Sequence, residues 1–461
     1  MSEDLKKQQE IYFPTYSGHD DNLMVLLKKT SQIICNWFAA AEKSGPLNFD
    51  KNFKYLMPDE KETSADDLFS EIEILMANAF NPVNPGSLAH LDPPPLIFSI
   101  LGELVSASLN NNLLAYELSP SITLLEESLF RWFSEKIGFT SYSGGIAASG
   151  GTLSNLNALI AARFTAGLES DPNAVFLISE DAHSSFLKFT KIMGLPENNL
   201  IKVKTDIKGC MDVESLIKTI NQCLLDNKKI FSIVATIGTT IRGAIDPVKR
   251  ISEICKENNI WLHIDGSIGG IFAISNFPID GLDYIKYANS ITINPQKILG
   301  ITKTSSFLLV SDIDTLKKTF STGLPYFSTN SNNIDRGELG IQGSRPAEVI
   351  KLWLGLRSLG INGINNILGS AIKRKEFFEK NLNSNKFEIY SGPLHIISLL
   401  PKNMDKKQSE IWTEKKRLEL LNDNFMLSRP KFNGKYFLKI VMGNYNTSDS
   451  HLLDVLRILD N

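Results

Sequence analysis

The sequence predicts an α/β fold: a mainly parallel sheet covered by helices on both faces, with a helical segment before it and a small α+β domain after it. Two observations carry that prediction. From about Leu101 onward, short apolar runs alternate with amphipathic stretches: Val175 to Ser179, Leu200 to Val203, Phe231 to Ala235, Trp261 to Asp265, Ser290 to Asn294 and Ser306 to Leu309. That spacing belongs to strands joined by crossover helices, and ligands then gather at the strand C-terminal ends. The chain has 461 residues and is 43% apolar, enough for large buried cores in two or three domains. The divisions are read at 1–99, 100–358 and 359–461.

In the first division, Asn22 to Ala41 and Ser64 to Ala79 have helical patterning, broken by Asn81-Pro82-Val83-Asn84-Pro85-Gly86 and Asp92-Pro93-Pro94-Pro95. Proline fixes a backbone dihedral and removes a donor, so these breaks read as loops between helices. After Leu359 a long charged helix precedes irregular strands, Phe387 to Ser391, His395 to Leu400 and Tyr436 to Met442. The polar stretch Ser328 to Asn333 reads as a mobile loop. A net charge of -3 without a long Lys/Arg block argues against nucleic acid or an acidic membrane surface as partner. The cysteines at 35, 210, 223 and 255 have neither metal-ligand nor CxxC spacing, so reduced thiols and no metal are expected. The opening MSEDLKKQQE is too polar for a secretory signal and no apolar run reaches membrane-span length, so the expected location is cytoplasmic.

Chemistry concentrates at the strand ends of the middle division. Ala148-Ser149-Gly150-Gly151-Thr152 runs straight into the amphipathic stretch Leu153 to Arg163. Glycines let backbone approach an anion, and the free N–H groups of a helix start face it, so this turn suits a phosphate. Asp265 ends an apolar strand and is followed by the small residues Gly266, Ser267, Gly269 and Gly270, which leave room for a flat ring. With a period of two, His263 shares its face and is expected to hydrogen-bond towards it. Lys297 follows the strand Ser290 to Asn294 among apolar neighbours, and lost hydration favours the free amine needed for imine chemistry. His183 follows another strand, where an imidazole can lie against an aromatic cofactor, and Thr236 to Thr240 places hydroxyls at the same edge. A Schiff-base lysine with an acid for a pyridine nitrogen points to pyridoxal phosphate.

The segments SPSITLLE, SGGTLSNLNALIAAR, DAHSSFLK, VATIGTTIRGAIDP, WLHIDGSIGG and NPQKILG occur in that order. With them the chain resembles the group II pyridoxal-phosphate-dependent amino acid decarboxylases over about residues 80–360. The resemblance implies the aspartate-aminotransferase fold type with a seven-stranded sheet, and it makes the middle division the cofactor-binding domain. It implies Lys297 as the Schiff-base lysine, Asp265 as the pyridinium partner and His183 as the ring-stacking imidazole. Gly151 and Thr152 would cradle the phosphate, with Thr240, Ser267 and Asn294 completing the pocket. The implied reaction is loss of CO2 from an L-amino acid to give an amine, in a homodimer with its active site at the interface.

The same resemblance places His90 and Asp92 in the substrate pocket; Asp92 would suit a cationic side chain, and the match is nearest the L-2,4-diaminobutyrate type. Gly343-Ser344-Arg345 would reach the neighbouring subunit's phosphate. Departures from the family pattern are local. Gln296 stands where a His is usual and Ile298 where an aromatic residue is usual, and the 321–340 stretch, which should bring a proton-donating Tyr, is short with Tyr326 near its start. An aldehyde synthase, an aminotransferase or a non-catalytic cofactor-binding homologue are therefore the alternatives. A Rossmann-type enzyme lacks its GxGxxG.

Overall fold

The structure, a computed structural model, describes residues 12–16, 18–48, 50, 54, 57–58, 60–323 and 335–460. Tyr326 and the Ser328 to Asn333 stretch lie outside the described residues.

Seven strands form the central sheet: β1 (Gly144–Ala148), β2 (Ala174–Ser179), β3 (Leu200–Val203), β4 (Lys229–Thr236), β5 (Trp261–Gly266), β6 (Ser290–Ile293) and β7 (Ser306–Val310). Their order is β1-β7-β6-β5-β4-β2-β3; β7 is antiparallel to both neighbours and the other pairings are parallel. Every residue of β2, β6 and β7 is buried, as expected of strands covered on both faces. The α/β reading therefore holds, with one strand beyond the six apolar runs. That strand, β1, has the sequence GGIAA, which carries little β propensity. Close approach favours it instead: a Cβ on Gly145 would lie 2.4 Å from the Leu308 carbonyl oxygen of β7.

The N-terminal segment supplies α1 (Asp21–Ala39), α2 (Ala65–Ala77) and α3 (Ile97–Leu109); α4 (Pro120–Lys136) and α5 (Gly151–Thr165) follow. Ala158, Ala161 and Ala162 let α5 lie close against the sheet. The long α6 (Val349–Asn381) is broken at Gly360, whose φ of 56° and ψ of 178° are non-helical. The α+β portion has a three-stranded antiparallel sheet of β8 (Phe387–Ser391), β9 (Ile396–Pro401) and β12 (Leu438–Val441) in the order β12-β9-β8, beside a short hairpin of β10 (Lys431–Phe432) and β11 (Lys435–Tyr436). The run predicted as one strand, Tyr436 to Met442, is thus split at Phe437.

One N-terminal loop is stitched to this portion. Asn444 Nδ2 donates to the Asn84 carbonyl (2.7 Å), Leu88 N–H to Met426 and Val441 N–H to Leu88. The chain is thereby led past β12 before it reaches His90 and Asp92. Arg345, expected at a neighbour's phosphate, instead forks onto Glu126 of its own chain at 2.7 and 2.5 Å. Among the described residues no helix is long and apolar enough to cross a membrane. All four cysteines are unpaired.

Candidate active site

Eight of the ten predicted site residues line one cavity at the C-terminal edge of the sheet: Gly151, Thr152, His183, Thr240, Asp265, Ser267, Asn294 and Lys297. Each arrives by a local device. β5 ends on Asp265 and Gly266, where Asp265 Oδ1 accepts from Ser267 N–H (3.2 Å). β6 ends at Ile293, and Pro295 opens a single 3₁₀ turn that carries Lys297. Proline suits a helix start because its missing N–H would be unsatisfied there anyway. Behind the turn, Ile298, Leu299 and Ile301 are buried, so the lysine is shielded from solvent on that side. Burial lowers its pKa, against the opposing charges of Asp265 and Asp92.

His183 sits in the turn after β2, with Nδ1 accepting from Ser185 N–H (3.2 Å) and lying 2.8 Å from Ser185 Oγ. Just before it, Asp181 is ion-paired with Arg242, whose guanidinium stacks on Phe432 at 4.6 Å. This fixes the His183 turn to the loop after β4 and to the β10–β11 hairpin. That loop is closed by Asp246, which accepts from Thr236 N–H (2.7 Å) and Met211 N–H (2.6 Å); burial pushes its carboxyl up to about 7.

The cavity fits a phosphate-bearing aromatic aldehyde. A Cβ on Gly151 would lie 2.6 Å from Asn294 Nδ2 and 2.8 Å from Ser267 Oγ, so only glycine allows α5 to start against those two side chains. The first backbone N–H groups of α5 then face the cavity beside them, a ready anion site. Two buried oxygens there, Thr236 Oγ1 and Asn294 Oδ1, have no hydrogen-bond partner among the described residues, and a buried polar atom of this kind calls for a partner such as a bound group or water. Gly151→Ala is expected to weaken pyridoxal 5'-phosphate binding about tenfold, or about 1.4 kcal/mol; an absorbance titration measures it.

Several expectations are corrected. His263 does not bond to Asp265: its Nδ1 meets Ser290 Oγ (2.8 Å) and its Nε2 meets Asn155 Oδ1 (2.9 Å). His90 and Asp92, expected in the substrate pocket, lie outside the wall of this cofactor cavity; Asp92 is ion-paired with Lys303, and its charge still acts on Lys297. Gln296 faces the cavity on one side, while its Oε1 accepts from Ser305 N–H and braces the loop after Lys297. The sequence reading placed Thr236 at this edge, where it lines the cavity wall, but it missed Asn155 on the same wall and Lys439 of β12. Lys439 is only 9% exposed. Burial first and then the charge of Lys297 bring its pKa down to about 8, against Asp92. A lysine inside the apolar run Phe437-Leu438-Lys439-Ile440-Val441 was the signal that could have found it.

Comparison with known proteins agrees with this geometry. The acidic amino acid decarboxylase of mouse is 32% identical over 304 residues, covering 61% of this chain and 55% of that protein. The alignment thus spans little more than half the length of that curated relative. Among solved structures, mouse CSAD superposes with a TM-score of 0.89 at 21% identity, covering 96% of this chain and 99% of that one. The glutamate decarboxylase domain of the diaminobutyrate-pyruvate transaminase and L-2,4-diaminobutyrate decarboxylase from Vibrio parahaemolyticus gives 0.86 at 21% identity, covering 99% and 98%. At such identities the superpositions establish the fold, that of type I pyridoxal-phosphate enzymes. The pyridoxal-dependent decarboxylase conserved domain matches residues 46–397, and with that match the chain belongs to the pyridoxal-dependent decarboxylase family.

Proposed function

We propose that this chain decarboxylates an L-amino acid to its amine and CO2 with pyridoxal 5'-phosphate. The observation that carries the reading is the meeting, in one cavity, of a lysine amine with lowered pKa, a buried carboxylate and a glycine-opened helix start. Lys297 would hold the aldehyde, Asp265 the pyridine nitrogen, the Gly151–Thr152 helix start the phosphate and His183 the ring face, with Thr240, Ser267 and Asn294 around them. When bound, the cofactor supplies an electron sink for the pair left at the α-carbon as CO2 departs. The protein's part is electrostatic and geometric. Burial keeps the Lys297 amine available as a nucleophile and later as a proton carrier. The fixed carboxylate of Asp265 favours a protonated partner opposite it. Ile298 and Leu299 exclude water from behind the lysine.

For the substrate we favour an acidic side chain over the diamino acid. His90 is held below its usual pKa by burial and then by Lys439, Lys303 and Arg417, with Asp92 opposing. Asp92 is already matched by Lys303, and Lys439, whose charge acts on His90, is a cation that a substrate carboxylate could use. The curated mouse relative carries acidic amino acid decarboxylase as its name. A panel of aspartate, glutamate, cysteine sulfinate and 2,4-diaminobutyrate, assayed for CO2, amine and hydrogen peroxide, tests both points. Peroxide with aldehyde would indicate the synthase reading, and no product above free cofactor would sink the enzyme reading. Lys439→Met is expected to raise KM for the acidic substrate about tenfold, about 1.4 kcal/mol. Because the Lys439 pKa is lowered to about 8, its charge fades as pH rises through that value. KM for an acidic substrate should therefore climb above about pH 8, and Lys439→Met should flatten the rise.

A homodimer belongs to the same proposal. α3 leaves Ile97, Phe98, Leu101, Leu104 and Val105 exposed along its length, an apolar face that a second copy would cover. Sedimentation at micromolar concentration distinguishes dimer from monomer.

A further inference from the structure

Asn155 sits one turn into α5, is 2% exposed and lines the cofactor cavity. Its Oδ1 is engaged by His263 Nε2 at 2.9 Å, while none of the hydrogen bonds among the described residues uses its Nδ2. The direction of that contact follows from the groups behind it. Trp261 Nε1–H can only donate, and it points at Ser290 Oγ (2.8 Å). The same Ser290 Oγ is 2.8 Å from His263 Nδ1. Asn155 Oδ1 can only accept, which places the ring hydrogen on Nε2, and Ser290 Oγ, while accepting from Trp261, has its own hydrogen to give to His263 Nδ1. A neutral imidazole accepting at Nδ1 carries its proton on Nε2, so Nε2–H donates to Asn155 Oδ1. Burial keeps that ring neutral, its pKa brought down to about 4. With Oδ1 committed to the ring, the planar amide turns its NH2 group the other way.

We propose that Asn155 is a further cofactor-binding residue, its NH2 group presented to an acceptor atom of pyridoxal 5'-phosphate and held there by His263 as a positioning residue. This rests on the cofactor reading above. The chain Trp261, Ser290, His263, Asn155 crosses β5 and β6 to reach α5, so the orientation is set by the sheet itself and not by a loop. His263 thereby has a task distinct from assisting Asp265: it prevents an amide flip that would turn a carbonyl oxygen towards the cavity.

Two measurements test it. In protein labelled with 15N-histidine, the buried His263 resonance of the unmutated chain should show the neutral Nε2–H form at neutral pH. An Nδ1–H form overturns the proposal, because Asn155 would then donate to the ring and offer its carbonyl to the cavity. The second is pyridoxal 5'-phosphate affinity by absorbance titration. Asn155→Asp keeps an acceptor for His263 but has no NH2, and it should weaken binding about tenfold. His263→Leu should weaken it several-fold by freeing the amide, and the double variant should bind no worse than Asn155→Asp alone, since the two act as one unit. Unchanged affinity in Asn155→Asp, or losses that multiply in the double variant, overturns the inference. If His263→Leu does not fold, the Asn155→Asp titration and the spectrum of the unmutated chain still decide. Failure of the unmutated chain to bind the cofactor at all would count against the cofactor reading instead.

Discussion

Lys297→Ala is expected to abolish the visible absorbance of the chain reconstituted with pyridoxal 5'-phosphate and to lower turnover by at least ~10³-fold, about 4 kcal/mol of transition-state stabilisation. The size follows from what the position supplies. Lysine surface chains are strongly hydrated point charges, but here Ile298, Leu299 and Ile301 pack behind the turn and burial lowers the amine's pKa. Alanine keeps the turn, whose geometry comes from Pro295 and the end of β6, so the loss would be chemical and not structural. Lys297→Arg makes the control: it retains a cation and length but cannot form an imine, and it should fail equally. A variant that keeps both the visible band and turnover would remove Lys297 from its proposed task.

The largest stability effect is expected at Glu126→Gln. Glu126 on α4 is fully buried between two guanidinium groups, Arg345 in a two-pronged contact and Arg336 at 3.8 Å. The partners are buried as well, with side chains 1% and 3% exposed. Removing the carboxylate leaves two desolvated cations facing each other, and breaking one member of a buried pair costs about 3–5 kcal/mol. Glutamine preserves shape, so the loss is electrostatic. Denaturant unfolding followed by fluorescence should show a lower midpoint for the variant. Replacing all three residues with apolar ones of similar size should cost far less, because no uncompensated charge remains. A Glu126→Gln midpoint equal to the unmutated one would contradict this account.

Arg345 also shows where sequence reading stops. The helix start at Gly343-Ser344-Arg345 suggested an anion site, but the residue's partner lies 219 positions earlier, and nothing local to Arg345 announces Glu126. His263 is similar: the period of two correctly put it on the face of Asp265, yet its two partners are 27 and 108 residues away. Lys439 was visible as a charge within an apolar strand. Its bearing on the active site depends on the docking of the Asn84 to Leu88 loop beside β12. Strand β1 escaped because its glycines and alanines carry no strand signature, only the smallness that close packing against β7 demands.

The α/β class and the cavity's main residues are legible in local sequence pattern. A strand is an unbroken apolar run, its C-terminal end is marked by the first polar or small residue after it, and in a parallel sheet those ends share one edge. His183, Asp265 and Lys297 could therefore be gathered from strand ends, and Gly151 from the glycine turn that opens a helix. The tertiary structure alone decided which charges are already paired, as Asp92 is with Lys303, and which amide is turned towards the cavity. Those outcomes depend on hydrogen bonds and Coulomb contacts a few ångströms long between residues far apart in the chain, and only folding sets such distances.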